Sequence, residues 1–117
     1  MSPDGTARQI FTLAEAQQLL PRVRAMTEEA ATAADQLSGD IQHMGSSDPA
    51  RAAMVTELEG LVAAWTARAQ KLGLEVKGLW LVDFDNGEGY YCWKYPEVAI
   101  LHYHGYDEGF EGRVKIV

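Results

Sequence analysis

The chain has 117 residues, a length suited to one domain, and 47% of them are apolar, enough for a core and too many for a disordered polymer. Seventeen acids against ten lysines and arginines leave a formal charge of −7, a field that repels a phosphate backbone, and no basic patch offsets it, so nucleic acid is not an expected partner. A single cysteine, Cys92, excludes an internal disulfide framework; no apolar run reaches the roughly 18–20 residues of a membrane span, and the polar start from Met1 to Gln9 lacks the plan of a signal peptide, which makes the cytoplasm the expected address.

Residues 1–10 read as a flexible leader. Thr12 and Glu15 then have the spacing of a capping box, in which each side chain satisfies the other residue's backbone amide. The positions Leu13, Ala16, Leu20, Val23, Thr27, Ala30, Ala34, Leu37 and Ile41 follow at alternating steps of three and four, the seam of a helix packed on another helix. Thr27 is its only polar member. Pro21 removes one helical amide and is expected to bend the helix near Gln17. The stretch Ser38 to Asp48 reads as a turn, and Asp48-Pro49 as a second start with aspartate at the N-cap. Val55, Leu58, Val62, Trp65, Ala69 and Leu72 repeat the seam, and Lys71 with Gly73 supplies the stop. The pattern predicts a long antiparallel helical hairpin over 12–73.

After Gly73 the apolar period becomes two. A tight turn at Asn86-Gly87 sets Phe84 against Gly89, Val82 against Tyr91 and Trp80 against Trp93 on one apolar face, which the helices would cover. Leu81, Asp83, Tyr90, Cys92 and Lys94 fall on the other face. A turn at Tyr95-Pro96 leads to a third strand, roughly Val98 to Tyr103, with Val98 and Ile100 beside Trp93 and Tyr91. The expected fold is a single α+β domain, with a three-stranded antiparallel meander over 75–104 and an irregular tail over 105–117.

Several of these residues resemble an uncharacterised bacterial family, domain of unknown function 2203. The matches are Phe11-Thr12-Leu13-Ala14-Glu15-Ala16 with Leu19-Leu20-Pro21, Leu81-Val82-Asp83-Phe84, Cys92-Trp93-Lys94, Glu97, His104 and Gly109-Phe110-Glu111-Gly112-Arg113. The family pattern has tryptophan and glycine where this chain has Tyr103 and Pro96. The resemblance covers nearly the whole chain and implies no activity, since the family has no established one.

His102 and His104, at i and i+2 on a strand, point to one face and could share a divalent metal, zinc or nickel, with Glu108 as the carboxylate and Glu97 or Asp107 as substitutes. The blander account leaves both rings at a strand end, bonded to neighbours. In the expected register Cys92 lies on the opposite face from both histidines, as a small buried thiol outside any such site. Asp83 to Glu88 is acidic, but its glycine comes one position early for a calcium loop. Glu97, His104 and Arg113 form a possible carboxylate or phosphate clamp, against which stands a simple ion pair that pins the tail. No complete catalytic constellation is present. A second apolar line on the first helix, Leu19, Met26 and Ala33, suggests a homodimer in which two hairpins form a four-helix bundle. The expected function is a non-catalytic, self-associating interaction module; the alternative is a metal or small-ligand protein.

Overall fold

In the computed structural model, which describes residues 9–116, helix α1 spans Leu13–Gln42 and helix α2 spans Ala50–Lys71. Most of the expected leader lies outside the described residues. The Thr12 hydroxyl accepts from the Glu15 amide at 3.1 Å, and the Glu15 carboxylate accepts from the Thr12 amide at 2.9 Å, which closes the capping box. The helix continues past Pro21 to Gln42. At the second start the Asp48 carboxylate accepts from the Ala50 amide at 2.9 Å. The stop is a Schellman turn: Gly73, at φ +90°, donates to the Gln70 carbonyl and Leu74 to the Ala69 carbonyl.

Thr27 sits fully buried between the helices. Its hydroxyl donates to the Val23 carbonyl at 2.7 Å and accepts from the Trp65 indole at 2.8 Å, so the one polar residue of the seam satisfies the one polar atom of the tryptophan facing it. Trp65 in turn meets Trp80 edge-on, with centroids 4.9 Å apart. Met26, from the second apolar line, is buried in the same core; Leu19 is half-buried against it and Ala33 is exposed.

The sheet has five antiparallel strands in chain order, not three: β1 Glu75–Gly78, β2 Leu81–Asp85, β3 Gly89–Lys94, β4 His102–Gly105 and β5 Val114–Lys115. The added strands are short and largely exposed, so they lack the alternating burial that marks a strand in sequence. The expected irregular tail supplies β5 and a short 3-10 turn at Phe110–Gly112. Trp80 lies outside the strands, at φ +58°, and still turns its ring into the core.

The β2–β3 register differs from the expected one by two residues, with Val82 opposite Trp93 and Phe84 opposite Tyr91. Asn86 Oδ1 accepts from the amides of Glu88 and Gly89, and Asp85 Oδ1 from that of Gly87. These side-chain bonds widen the turn beyond two residues. A shift of two preserves the faces: Val82, Phe84 and Trp93 are fully buried against the helices.

The β3–β4 connection changes the faces. The chain turns at Tyr95–Glu97 as expected, held by the Trp93 indole on the Glu97 carbonyl and by the Lys94 amide on the Glu97 carboxylate. It does not return as a strand at Val98, which is 71% exposed; pairing resumes at His102, with Cys92 opposite His102 and Tyr90 opposite His104. That register places both histidines on the same face as Cys92 and overturns the expected separation. Among the described residues no helix is long and apolar enough to cross a membrane.

Thr27→Val keeps the shape of residue 27 and strands the Trp65 indole N–H, at an expected cost of about 1–3 kcal/mol in unfolding free energy. Thr27→Ser keeps the hydroxyl and should cost less. Urea denaturation followed by tryptophan fluorescence measures both, and equal losses would show that the hydroxyl is not the stabilising group.

Candidate functional site

Strands β2, β3 and β4 bring Asp83, Cys92 and His104 together on the face turned away from the helices. Asp83 and Cys92 are cross-strand partners, and His104 pairs with Tyr90, two residues along β3. All three are buried, at 1%, 1% and 3% exposure, although they lie on the side the helices do not cover. Their donor atoms fall within 4.8 Å of one another, the only such group of three or more among the described residues. A cavity of about 260 Å³ adjoins them, lined also by Lys77, Leu81, Glu108 and Phe110.

Hydrogen bonding assigns the His104 tautomer. Nδ1 lies 2.9 Å from the Gly105 carbonyl, which can only accept, so Nδ1 carries a proton and Nε2 is the ring atom left to meet Asp83. Nε2 lies 2.9 Å from Asp83 Oδ2, the separation of an ion pair when the ring is protonated. The pair is buried beside the Cys92 thiol. Burial raises the Asp83 pKa, with the neighbouring His104 acting against it. The Cys92 thiol is pushed up to about 12, first by burial and then by the Asp83 charge, while Arg113, 3.9 Å from the sulfur, opposes the rise. A thiol held protonated at neutral pH is a poor nucleophile, which counts against cysteine catalysis.

A second cluster lies beside the first. Arg113 forms a two-pronged ion pair with Glu97, at 3.0 and 2.6 Å, and its guanidinium sits 4.1 Å from the centre of the Phe110 ring. His102 Nδ1 stands 3.7 Å from Glu97 Oε2. Burial works against the Glu97 charge, but the Arg113 bonds and the Lys94 amide outweigh it and hold the carboxyl below its ordinary range. The trio Glu97, His104 and Arg113 thus divides: the first and third pair together, while His104 faces Asp83. The trio His102, His104 and Glu108 divides as well. His102 faces Glu97, and Glu108 accepts from the Gly105 amide at 2.9 Å. Sequence reasoning kept His104 and missed Asp83 and Cys92 as its neighbours. The available signal was Asp83 itself, an acid set between Val82 and Phe84 in an apolar strand.

Fold and site together define an α+β protein with two helices against one face of a five-stranded antiparallel sheet and a buried Asp-Cys-His cluster on the other. The family model described as "Uncharacterized conserved protein (DUF2203)" matches residues 9–116, and the chain belongs to that family. No curated protein and no solved structure matches it.

The Glu97–Arg113 pair has a definite pH signature. A carboxyl whose pKa is lower in the folded state adds stability above its unfolded value, about 4.3, and that stability is lost as pH falls through the folded value. Arg113→Met should therefore cost about 1–2 kcal/mol near pH 6–7, discounted for the partial exposure of the pair, and progressively less below about pH 4. Chemical denaturation of both proteins across that range measures the difference; a gap that stays constant into acid would contradict the assignment.

Proposed function

We propose that this chain is a non-catalytic binding protein for a divalent transition metal, held by the Asp83 carboxylate, the Cys92 thiolate and His104 Nε2. The observation that carries the reading is the convergence of three buried side chains from three strands, Asp83, Cys92 and His104, with ligand atoms within 4.8 Å of one another. A cation among the three donors would take the place of the Asp83–His104 contact as the partner of both groups. The His104 Nδ1 bond to a backbone carbonyl is the usual support of a metal-bound imidazole. A tetrahedral ion with bonds of about 2.0–2.3 Å spaces its ligand atoms roughly 3.3–3.8 Å apart, between the 2.9 Å contact and the 4.8 Å limit of the cluster. One sulfur, one nitrogen and one oxygen suit zinc, nickel or cobalt rather than calcium or magnesium, which take oxygen. The high thiol pKa is compatible, because a binding metal displaces the proton. A cytoplasmic, reducing setting keeps Cys92 available as a thiol.

Titration with Co²⁺ should give a visible spectrum with a thiolate-to-metal band, and Cys92→Ser or His104→Ala should weaken binding by at least about 100-fold. Asp83→Asn should also lose the metal, yet raise the stability of the metal-free protein near pH 8, since a buried carboxylate with a raised pKa costs stability once it ionises. Metal-free protein that ignores added cobalt and zinc would overturn the reading.

A second reading concerns the helices. Of the 22 residues of α2 only Trp65 and Ala69 are buried, while Val55, Leu58, Leu61 and Val62 stay half-buried. Read as an antiparallel hairpin, the helices can pair with those of a second copy as a four-helix bundle, a homodimer that completes this burial. Size-exclusion chromatography with light scattering should then give twice the chain mass; a strict monomer at high concentration would remove the dimer.

A further inference from the structure

We infer that the ion held by Asp83, Cys92 and His104 keeps one exchangeable coordination position, and that this position takes a small monocarboxylate carrying a short apolar body. The inference rests on the metal reading above and adds what the metal is for. Three protein donors leave a four-coordinate ion one ligand short. Among the described residues no fourth histidine, cysteine or carboxylate atom falls within the cluster: Glu97 is committed to Arg113, and Glu108 turns an oxygen onto the Gly105 amide. All three ligand residues line the same cavity of about 260 Å³, so the vacant direction opens there rather than into packed protein.

The cavity wall selects the ligand. A divalent ion with one carboxylate and one thiolate is a neutral centre. Arg113, 3.9 Å from the Cys92 sulfur, is taken up by its two bonds to Glu97. The cation that lines the cavity is Lys77, whose ammonium lies 3.2 Å from Glu75 and 4.5 Å from the centre of the Tyr90 ring. One incoming negative charge bridges the ion and Lys77. A second would meet Glu108, which also lines the cavity and repels it. Leu81 and Phe110 complete the wall with apolar surface, which suits an alkyl or aryl group behind the carboxylate. The ligand class is thus a monocarboxylate of the size of benzoate, with its carboxylate on the metal and its ring on Phe110.

The test is a titration of the Co²⁺-loaded full chain with benzoate, acetate and succinate, read from the visible cobalt bands and from calorimetry. Benzoate should change the bands saturably and bind more tightly than either of the others. Lys77→Met should weaken all carboxylates by about tenfold while leaving cobalt affinity unchanged. Phe110→Ala should reduce the preference for benzoate over acetate. Cobalt bands that no anion alters would mean a closed site and overturn the inference while leaving the metal reading intact. Benzoate bound equally well without cobalt would overturn it too, by showing that the metal is not the anchor. Failure of cobalt to bind at all would remove both readings.

Discussion

The chemistry of this molecule depends on where β4 is laid against β3. With Cys92 opposite His102, the imidazole of His104 falls on the outer face within reach of Asp83. Slid by one residue, the same strand would turn His104 toward Val82 and Trp93, where no polar partner waits, and would put exposed Tyr103 in its place. Several contacts resist that slip. Gly89 lies opposite Gly105, and a Cβ on Gly89 would come within 2.6 Å of the His104 carbonyl oxygen, so the two strands approach as closely as glycine allows only in this alignment. Ile100 anchors the connection in the core, and Glu97 ties its start to Lys94 and its far side to Arg113.

The same register makes the sheet buried on both faces by different means. The inner face is apolar and packs on the helices around Trp65, Trp93 and Phe84. The outer face is polar and is closed by the chain after Gly105: the Tyr106 ring stands edge-on to Tyr90 with its hydroxyl 2.6 Å from Asp85, and Arg113 reaches back to Glu97. Burying the Asp83–His104 pair there costs desolvation that an apolar pair of the same shape would not. Local cost held in place by rigid surroundings is the usual mark of a binding site. The three side chains come from three adjacent strands, so ladder hydrogen bonds fix their spacing and no mobile loop is needed to assemble them.

Much of this was legible in the sequence. The capping box at Thr12 and Glu15, the Asp48 cap, the glycine stop at Gly73 and the apolar face of Val82, Phe84 and Trp93 each rest on local chemistry that the tertiary fold preserved. Thr27 was visible as an exception, though its partner, Trp65, is 38 residues away and no local rule names it. The cluster was not legible because strand faces alternate with every residue. The segment 95–101 reads in sequence as a turn running straight into a strand, and its true length reverses the side on which His102 and His104 emerge. Nothing in Tyr95-Pro96-Glu97-Val98 states that length; it is set by the Glu97 contacts and by Ile100 finding the core. The two outer strands leave almost no mark in the sequence, because four-residue and two-residue segments with largely exposed side chains carry almost no period.

X-ray absorption at the metal edge of zinc-loaded protein tests the central claim most directly, because it counts the atoms bound to the ion. A shell of one sulfur at about 2.3 Å with the remaining ligands nitrogen or oxygen at about 2.0–2.1 Å is the predicted result, the sulfur contribution vanishing in Cys92→Ser. A shell of nitrogen and oxygen alone in the unaltered protein would place the ion elsewhere and contradict the site.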